Sequence, residues 1–519
     1  MQIDDLVYPY IILSLVIFVA IHLWHTKTYY KYLFLFLFLV ILFLNAFYLI
    51  SDYFTGHGID ESVFFHLFHG LDVNTLLQFK SDIFNLVYLT LFLFIWCAFY
   101  LKFFVYDRKN NKLLGSNGFN QSISVIFLCV FFFVGFTHPT TKAIASYNIM
   151  LGEKQRYKEL ESEIKPVKVN GKLDFNKKNF IYLYLESVER TFLDKNRYPN
   201  LMPRLANIEA DSITIKGIKQ APMTSWTIAG MTSSQCGIPL ATYTKDRNKE
   251  NPKLRNNDLD GLKDFLSGAI CVGDILNDAG YSLSYIGGAD LSFAGKGNFY
   301  KNHGFDEVYG LNDFQREYGE NIPLSKWGVY DDLLYVKLLD LFEQKAKQGK
   351  PFGIYALTLD THAPLGHKTP KCGNLKYKNG SSEILNSVHC ADYLLGDFIK
   401  KFKESPYSKN TVLVISSDHF MMMNDAGLDS SDVSRENLWL VYNSKSPSAT
   451  IYRKATTLDI PPTFLFVLGY EVDDFVLGRN LFGKQETLYE KMGEEHFYKS
   501  LQAWRMNMWS YWNKNSNKF

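Results

Sequence analysis

Four short motifs place oxygen-bearing or imidazole side chains at the ends of predicted strands or in the loops beyond them. They are Glu186 in YLESVERTF, Thr224 in QAPMTSWTIAGM, Thr361–His362 in LTLDTHAPL and Asp418–His419 in VLVISSDHF. Two carboxylates, a hydroxyl and an imidazole form a mostly oxygen ligand set, which suits Mn²⁺, Mg²⁺ or Zn²⁺. A cation beside a threonine hydroxyl lowers the pKa of that hydroxyl and produces an alkoxide nucleophile. The pattern therefore predicts a metal-activated threonine, and the helix after Thr224 would offer amide N–H groups to an anion.

Each of these residues also has an ordinary structural explanation when it is taken alone. A glutamate at a strand end is more often solvated or caps a helix, and an Asp-His pair is usually surface sequence. His362 could hold its loop through a backbone hydrogen bond, and Ser225 or Thr227 could replace Thr224 as the nucleophile. The order and placement of all four motifs favour the functional interpretation.

The segments around these motifs indicate an α/β fold. Short apolar runs bounded by polar residues predict buried strands, and longer periodic stretches predict helices. Strands that alternate with helices are typical of a mostly parallel central sheet covered by helices. Functional sites of such folds lie at the carboxyl ends of the strands, so the motifs fall where a site is expected. The predicted strands are Asn179–Leu185, Ser282–Ile286, Phe352–Leu359 and Thr411–Ser416, and the predicted helices include Asp331–Lys345 and Ala391–Phe402.

Composition distinguishes two parts of the chain. The 519 residues include 55 Lys and Arg against 53 Asp and Glu, so the chain has no global charge that would suit nucleic acid. Apolar residues make up 47% of the sequence, yet the mean hydropathy is only −0.10, because these residues concentrate near the N-terminus. This distribution argues against a wholly soluble enzyme, a fibrous or disordered chain and a transporter made only of membrane spans.

Four hydrophobic stretches predict membrane-spanning helices, each long enough to cross about 30 Å of hydrocarbon. Lysines and arginines are in excess in the first and third connecting loops, whereas acidic residues are in excess in the second. Since positive loops stay in the cytoplasm, the N-terminus and everything after about residue 140 are predicted to face the periplasm or the cell exterior. For the third and fourth stretches, a buried helix of a soluble domain is the alternative. The stretches are Leu6–Trp24, Tyr32–Ile50, Ile83–Leu101 and Phe119–Thr137.

These features predict four segments along the chain. Residues 1–141 form a transmembrane domain with four helices, and residues 142–177 form a charged juxtamembrane helix and linker. Residues 178–483 form the catalytic domain, which carries all four motifs. Residues 484–519 form an aromatic, basic C-terminal tail, which we expect either to lie on the membrane surface or to cap the domain.

The cysteine positions agree with an exported domain. Two of the six cysteines fall within predicted spans and are interpreted as small apolar residues. The other four follow the last span, and an even number of cysteines in an oxidising compartment predicts disulfides. The sequence allows three pairings, of which we favour Cys236 with Cys271 and Cys372 with Cys390.

Longer stretches around the motifs resemble one enzyme family over roughly residues 175–480. The stretches WTIAGMTSSQCGIPL, CVGDILNDAGYSLSYIGGADLSFAGKGNFYKNHGF, DTHAPLG and SSDHFMMMND are similar to membrane-bound sulfatase-like phosphoglycerol transferases of the alkaline-phosphatase superfamily. Within it, the chain most resembles the transferases that act on periplasmic glucans. It resembles lipoteichoic acid synthases and phosphoethanolamine transferases more distantly. The resemblance implies an alkaline-phosphatase or sulfatase-like fold for the catalytic domain.

The resemblance also implies roles for individual residues. Glu186, Thr224, Asp418 and His419 would hold one divalent metal ion, for which Mn²⁺ is expected and Zn²⁺ or Mg²⁺ are the alternatives. Thr224 would also be the nucleophile. His362 would contact the phosphoryl oxygens of the substrate.

Three departures narrow the resemblance. Lys296 stands where lipoteichoic acid synthases have an arginine that binds the donor phosphate, and a lysine keeps the charge but loses the bidentate fork. A solvated loop charge is the alternative for this lysine. The tryptophan of the same segment is replaced by Phe293 or Ala294, which argues against lipoteichoic acid synthesis. Cys236 is followed by Gly-Ile-Pro-Leu, without the arginine of the Cys-x-Pro-x-Arg type of signal that directs formylglycine formation. This departure argues against sulfate-ester hydrolysis.

The implied reaction is the transfer of a phosphoglycerol group from phosphatidylglycerol to a periplasmic or cell-surface glycan, through a covalent phospho-threonine. The implied partners are a phospholipid donor and a glycan acceptor, and no nucleic acid. The implied location is a bacterial inner membrane, with the catalytic domain in the periplasm. The alternatives are a phosphoethanolamine transferase that modifies lipid A or another glycan, a hydrolase that releases glycerophosphate, and a non-catalytic membrane scaffold.

Overall fold

The structure is a computed structural model that describes the chain in several stretches. The chain divides into two compact units, whose boundary along the described residues falls between Met150 and Leu151. The described residues are 28–55, 135–152, 158–172, 178–241, 264–422, 426–428, 433–442 and 447–504, together with the single positions 59, 63, 508 and 511.

Two helices are described in the N-terminal part of the chain, α1 (Thr28–Thr55) and α2 (Pro139–Gly152). Nε2 of His138, the residue immediately before α2, lies 3.1 Å from Oδ1 of Asn45 in α1. The predicted span at 32–50 lies within α1. In the part of the chain that the structure describes, no helix combines the length and the apolar character that crossing a membrane requires. The predicted spans that lie outside the described residues are 6–24, 83–101 and most of 119–137.

In the second unit, short helices alternate with strands along the chain. The helices are α3 (Lys158–Glu163), α4 (Pro203–Ala210), α5 (Thr227–Cys236), α6 (Val272–Asp278), α7 (Lys296–Asn302), α8 (Leu311–Tyr318), α9 (Asp331–Lys347), α10 (Glu383–Glu404), α11 (Ile460–Val467), α12 (Leu488–Met492) and α13 (Glu494–Trp504). The strands are β1 (Asn170–Lys172), β2 (Asn179–Leu185), β3 (Ile213–Lys219), β4 (Ser282–Gly287), β5 (Glu307–Tyr309), β6 (Phe352–Leu357), β7 (Thr411–Ser417), β8 (Trp439–Tyr442), β9 (Ala449–Thr456), β10 (Tyr470–Glu471), β11 (Asp474–Phe475) and β12 (Gly478–Arg479).

Among the described residues, eight strands form the central sheet in the order β5-β4-β6-β2-β7-β8-β3-β9. Strand β8 runs antiparallel to its neighbours β7 and β3, and the other neighbouring pairs are parallel. Tyr184 of β2 pairs with Leu357 of β6 and with Ser416 of β7, so these three central strands end at the same level. The predicted α/β fold with a mostly parallel central sheet is therefore confirmed.

Side chains of β2 contribute to apolar layers on both faces of the sheet. On one face, Ile181 and Leu183 belong to the main core together with residues of α9 and α10. On the other face, the ring of Tyr182 stacks on Tyr355 at 5.0 Å, and Phe464 of α11 meets Tyr182 edge-on at 5.1 Å. Alternate residues of a strand point to opposite faces, so the sequence NFIYLYL supplies aliphatic side chains to one layer and aromatic rings to the other.

Two disulfides connect helices of the second unit. One joins Cys236, at the end of α5, to Cys271, which immediately precedes α6. The other joins Cys372 to Cys390, which lies within α10. This is the pairing favoured from the sequence. Because disulfides persist in oxidising compartments, their presence agrees with an exported domain.

Segments on either side of the predicted catalytic region pack onto the second unit. Strand β1, in residues 158–172 of the predicted linker, pairs antiparallel with β10. Beside it, Nη2 of Arg479 donates to the carbonyl oxygen of Glu163 at 2.6 Å. In the predicted tail, α13 buries Leu501 and Trp504. These described parts of the linker and the tail therefore belong to the folded unit.

Candidate metal and nucleophile site

The predicted site residues follow strands that end at one edge of the sheet. Glu186 follows β2, and Asp418 and His419 follow its neighbour β7. His362 lies in the loop after β6, on the other side of β2, and Thr224 lies between β3 and α5. The carboxyl ends of parallel strands meet at the same edge, so side chains that are far apart in sequence can combine there.

The side chains of Glu186, Asp418 and His419 form a cluster, the ligand cluster, whose coordinating atoms all lie within 4.8 Å of one another. Nε2 of His419 is 3.4 Å from Oε1 of Glu186 and 3.3 Å from Oδ2 of Asp418. None of the three residues is more than 1% exposed. Two buried carboxylates and one imidazole at this spacing are a suitable donor set for a divalent cation. The structure thus brings together three of the four predicted metal ligands.

Backbone groups fix the orientation of these coordinating atoms. Oδ1 of Asp418 accepts hydrogen bonds from the amides of Ser187 and His419, each at 2.8 Å. Nδ1 of His419 lies 2.7 Å from the carbonyl oxygen of Phe420, so Nδ1 keeps its proton and Nε2 is the atom that can coordinate a cation once it is deprotonated. Among the described residues, neither Oδ2 of Asp418 nor Nε2 of His419 has a hydrogen-bond partner, although both atoms are buried. Two such atoms 3.3 Å apart fit a cation that both would coordinate.

The electrostatics of the ligand cluster also favour a cation. Burial and the negative charge of Glu186 raise the pKa of Asp418 well above its usual range. Burial lowers the pKa of His419, but Asp418 and Glu186 outweigh it and raise this pKa to about 9. Burial acts to raise the pKa of Glu186, but the positive charges of His362 and His419 outweigh burial and lower it overall. The two buried carboxylates therefore carry more negative charge than the neighbouring imidazoles balance, and a bound divalent ion would supply the missing positive charge.

Thr224 lies in the loop that leads into α5. Its side chain is buried, and its hydroxyl donates to the carbonyl oxygen of Ala221 at 2.7 Å. Met223, immediately before it, has a φ of 62°, which lies in the left-handed region that non-glycine residues rarely adopt. Three residues after Thr224, the hydroxyl of Thr227 donates to Oε2 of Glu186 at 3.3 Å. The structure therefore places this loop beside the ligand cluster through Thr227, which is one of the two alternative nucleophiles.

Helix α5 packs directly against the backbone of residues 418–419, the ligand segment. A Cβ atom at Gly230 would lie 1.9 Å from the carbonyl oxygen of Asp418. This separation is far below any normal contact, so only a residue without a side chain allows the helix to come so close. The glycine therefore sets the distance between the helix that follows Thr224 and the residues that would hold the metal.

A series of hydrogen bonds connects helix α13 to the threonine loop and to the end of the ligand segment. The hydroxyl of Tyr498 donates to the carbonyl oxygen of Gln220 at 3.0 Å. The side-chain oxygen of Gln220 in turn accepts from the amide of Phe420 at 2.6 Å. Gln220 begins the loop that contains Thr224, and Phe420 follows His419. Helix α13 thus supports both the threonine loop and the end of the ligand segment.

His362 is buried next to the ligand cluster. Its Nδ1 lies 2.7 Å from the carbonyl oxygen of Ala363, which is the backbone contact considered as its alternative role. Burial lowers the pKa of His362, whereas the negative charge of Glu186 acts to raise it, so the two side chains are near each other. The hydroxyl of Thr361 also donates to the backbone carbonyl oxygen of Glu186. The backbone bonds therefore orient the ring beside the cluster.

Lys296 is the first residue of α7 and is only 4% exposed. Its Nζ lies 4.5 Å from the centroid of the Phe293 ring. Its positive charge is one of the effects that lower the pKa of His362, after burial and the charge of His419. The alternative of a solvated loop charge is therefore wrong, because this ammonium group is buried close to the site.

Sequence reasoning missed two hydroxyl residues that hold Glu186. The hydroxyl of Ser187 donates to Oε1 of Glu186 at 2.8 Å, and Ser187 itself has a φ of 55°. The hydroxyl of Thr358 accepts from the amide of Glu186 at 2.9 Å. Serine and threonine are common at strand ends, so residue type alone did not reveal these contacts. Only the pairing of β2 with β6 brings Thr358 to this position.

It also missed a buried pair of carboxyl groups behind His362. The side chain of Asp331, at the start of α9, accepts from the amides of Leu359 and Asp360 at 2.7 and 3.1 Å. In return, Asp360 accepts from the amide of Asp331 at 3.2 Å. Burial raises the pKa of Asp331 to about 7. These bonds fix the start of the loop that carries His362. In the sequence, the one indication of this pair is the carboxylate of Asp360, two residues before His362.

A second group of potential ligands, Cys271, Asp274 and His303, lies outside this site. The sulfur of Cys271 is bonded to Cys236 and cannot coordinate a metal. Oδ2 of Asp274 accepts from the amide of Cys271 and lies 2.8 Å from Nδ1 of His303. These contacts form a structural cap at the start of α6.

Comparison with known proteins gives two family matches and a set of relatives. Residues 178–470 match the sulfatase family model, and residues 8–157 match the model of the N-terminal domain of phosphoglycerol transferase I. Phosphoglycerol transferase I of Xanthomonas campestris pv. campestris (strain B100) is 38% identical over 308 residues. The match covers 59% of this chain and 43% of the relative, so the chain spans less than half the length of the curated relatives it matches.

Two solved structures share the fold at low sequence identity. A protein of the alkaline phosphatase superfamily from Vibrio parahaemolyticus superposes with a TM-score of 0.52 and 21% identity, over 66% of this chain and 80% of its own. The lipoteichoic acid synthase LtaP from Listeria monocytogenes superposes with a TM-score of 0.50 and 19% identity, over 70% and 98%. The sulfatase model alone spans more than half of the sequence. The resemblance drawn from the motifs is confirmed, and the chain belongs to the sulfatase family.

Proposed function

We propose that the chain transfers a phosphoglycerol group from phosphatidylglycerol to a periplasmic or cell-surface glycan. The observation that carries the proposal is that one chain joins two parts. Residues 8–157 match the N-terminal domain of phosphoglycerol transferase I, and the sulfatase domain holds a buried cluster suited to a divalent cation. A metal-supported nucleophile on a membrane-associated enzyme fits a phospholipid donor.

We also propose the arrangement of the chain in a bacterial inner membrane. Residues 1–141 would cross it four times, and residues 142–177 would lead to a periplasmic catalytic domain over 178–483, followed by the tail 484–519. The charge pattern of the connecting loops supports this orientation. The two disulfides of the second unit support it independently, since such bonds persist outside the cytoplasm.

In this proposal Glu186, Thr224, Asp418 and His419 hold one divalent cation, for which we favour Mn²⁺ over Zn²⁺ or Mg²⁺. When bound, the ion would lower the pKa of the threonine hydroxyl and offset the charge on the phosphoryl oxygens. The support for three of these ligands is the buried cluster, in which Oδ2 of Asp418 and Nε2 of His419 have no hydrogen-bond partner within the described part of the chain. The support for Thr224 is its place in the loop that leads into α5, because the first residue of that helix, Thr227, contacts Glu186 through its hydroxyl.

The reaction proceeds in two displacements at phosphorus. In the first, Oγ of Thr224 bonds to phosphorus, the bond from phosphorus to the diacylglycerol oxygen breaks, and diacylglycerol leaves with the threonine proton. In the second, a hydroxyl of the glycan bonds to phosphorus, the bond to Oγ breaks, and Thr224 regains a proton. Lys296 offsets charge on the phosphoryl oxygens during both displacements, and His362 does so when it is protonated. Two displacements through a covalent intermediate give ping-pong kinetics.

Mass spectrometry of the full-length protein after incubation with phosphatidylglycerol vesicles tests the proposal. We expect a glycerophosphoryl group on the peptide that contains Thr224, together with released diacylglycerol. Thr224→Ala should abolish both signals. Thr227→Val, which removes the neighbouring hydroxyl, should retain the group on Thr224.

Other results would redirect the assignment. A group that persists on Thr224→Ala but disappears from Thr227→Val would make Thr227 the nucleophile. Phosphatidylethanolamine as the preferred donor would identify a phosphoethanolamine transferase, and free glycerophosphate without an acceptor would identify a hydrolase. A metal-free protein that releases no diacylglycerol after addition of Mn²⁺ would support the scaffold alternative.

A further inference from the structure

Three rings and one buried cation extend the site beyond the ligand cluster. Trp327 lies against His362, with ring centroids 4.0 Å apart and planes tilted by 32°. Phe293 lies against Trp327 at 5.8 Å, edge to face. The rings of Phe293, Trp327 and His362 thus form a continuous surface, the ring wall. Nζ of Lys296 lies 4.5 Å from the centroid of Phe293, at one end of this wall.

The loop that carries Trp327 is firmly attached to the end of β4. The amide of Val329 donates to the carbonyl oxygen of Gly288 at 3.0 Å, and a Cβ at Gly328 would lie 2.2 Å from the same oxygen. The hydroxyl of Ser325 accepts from the amides of Trp327 and Gly328, each at 3.2 Å. The ring wall is therefore built before any substrate binds.

The proposed reaction places the lipid headgroup beside this wall. Glycerol remains esterified to phosphorus after diacylglycerol has left, so the headgroup stays within a few bonds of Thr224. His362 would flank the phosphoryl group, because its ring is buried next to the ligand cluster and interacts electrostatically with Glu186. From His362, the next surfaces along the wall are Trp327 and then Phe293.

We propose that Lys296 and the ring wall select donor lipids whose headgroup carries no positive charge. The inference rests on the proposed function and adds the property by which the site distinguishes phosphatidylglycerol from phosphatidylethanolamine. An aromatic wall alone would attract an ammonium headgroup. Here the Phe293 ring already receives the ammonium of Lys296, which is 4% exposed. A second ammonium nearby would be repelled in this buried region, whereas a neutral diol would pack on the indole without repulsion.

Two synthetic lipids of matched size test the inference on the unmodified full-length protein. One has a hydroxyethyl headgroup and the other an aminoethyl headgroup, so they differ mainly in charge. Diacylglycerol release from each is measured in vesicles, with the mass of the group on Thr224 as the second readout. We expect the hydroxyethyl lipid to react about 10- to 100-fold faster, the factor for two unit charges about 6–10 Å apart at an effective dielectric constant of 20. Equal rates would overturn the inference.

Variants of Lys296 identify the residue responsible. Lys296→Met keeps most of the stem but removes the charge, and should reduce the rate ratio of the two lipids to near one. Lys296→Arg keeps the charge and should keep the ratio. Both lipids are assayed on the same preparation, so partial misfolding lowers both rates and leaves their ratio unchanged. If the methionine variant does not fold, the rate ratio of the wild-type protein alone tests the inference. A wild-type protein that releases diacylglycerol from no lipid would refute the proposed function. A protein that uses phosphatidylglycerol, but whose ratio is the same in Lys296→Met, would refute only this inference.

Discussion

Replacing Gly230 by alanine tests whether the close approach of α5 sets the geometry of the site. The new Cβ would lie 1.9 Å from the carbonyl oxygen of Asp418 and 2.8 Å from its carbonyl carbon. Both atoms belong to the backbone, so no side chain can rotate away to make room. To widen the shorter distance from 1.9 Å to 3.0 Å, α5 and the ligand segment must separate by about 1.1 Å.

This separation should affect both stability and rate. Overpacking of a closely packed core costs about 1–3 kcal/mol, of which the better helix propensity of alanine recovers about 1 kcal/mol. The remaining loss is at most about 2 kcal/mol, which for a domain of roughly 300 residues corresponds to a fall in melting temperature of up to about 3 °C. The same shift moves the threonine loop away from Asp418 and His419. We therefore expect transfer to slow about 100-fold, as is typical of a 1 Å misplacement.

The assay measures melting temperature, metal content and diacylglycerol release on the same preparation. Gly396→Ala in α10 is the matched control, because its new Cβ would meet Cδ of Arg204 at 2.0 Å, on a side chain that is 42% exposed and able to move. The control should keep the wild-type rate and gain up to about 1 kcal/mol of stability. A Gly230→Ala protein that is fully metal-loaded and transfers at the wild-type rate would refute the reasoning, whatever its melting temperature.

Metal affinity should depend on pH, because His419, whose pKa is about 9 in the metal-free protein, must lose a proton to coordinate. The dissociation constant for Mn²⁺ should rise at least about tenfold for each pH unit below about 9 in calorimetric titration, because Asp418, whose pKa is also raised, can release a second proton; a pH-independent constant would argue against these ligands. Replacing both Cys236 and Cys271 by serine should lower the free energy of unfolding, measured by urea titration, by about 4 kcal/mol, since that disulfide closes a loop of 35 residues. The Cys372–Cys390 bond closes 18 residues, and its removal should cost about 3 kcal/mol in the same urea titration, so a reversed order would contradict the loop-length argument. Asp331→Ala should lower stability by about 1–3 kcal/mol and slow transfer, because two buried amides of the His362 loop lose their acceptor, whereas the exposed Asp340→Ala on the same helix should do neither. Indistinguishable results for the two aspartate variants would show that the loop does not depend on this carboxyl group.

Local sequence patterns were sufficient for the central strands. Strand β2 begins and ends at the predicted residues, and β4 and β7 each extend one residue further. The predicted strand Phe352–Leu359 ends earlier, at Leu357, although the amide of Thr358 still donates to the carbonyl oxygen of Tyr184 at 3.0 Å. These strands are buried on both faces, so each appears in the sequence as a short continuous apolar run.

Patterns of this kind could not reveal the other half of the sheet. Strand β9 (ATIYRKAT) is an edge strand with partly or fully exposed positions over most of its length, and its charged residues conceal it in the sequence. Strand β8 has only four residues, and its antiparallel direction depends on pairing with β7 and β3.

The residues that could chelate an ion were recognisable from type and from strand-end position. The residues that position them were not, because their contacts depend on the tertiary fold. Ser187, Thr358 and Asp331 act through hydrogen bonds to groups in the site loops, and nothing in their own neighbourhoods marks them. Lys296 is similar, since only the structure shows that it is buried against Phe293 rather than solvated.

The hydrogen bonds from Tyr498 through Gln220 to Phe420 have a practical consequence for recombinant work. The sulfatase match ends at residue 470, and a fragment trimmed there would lack the phenol that holds the loop before Thr224. It would also expose the apolar surface that Leu501 and Trp504 cover. Expression should therefore extend at least to Trp504. Low turnover of a shorter fragment would reflect a lost structural support and would reveal nothing about the chemistry itself.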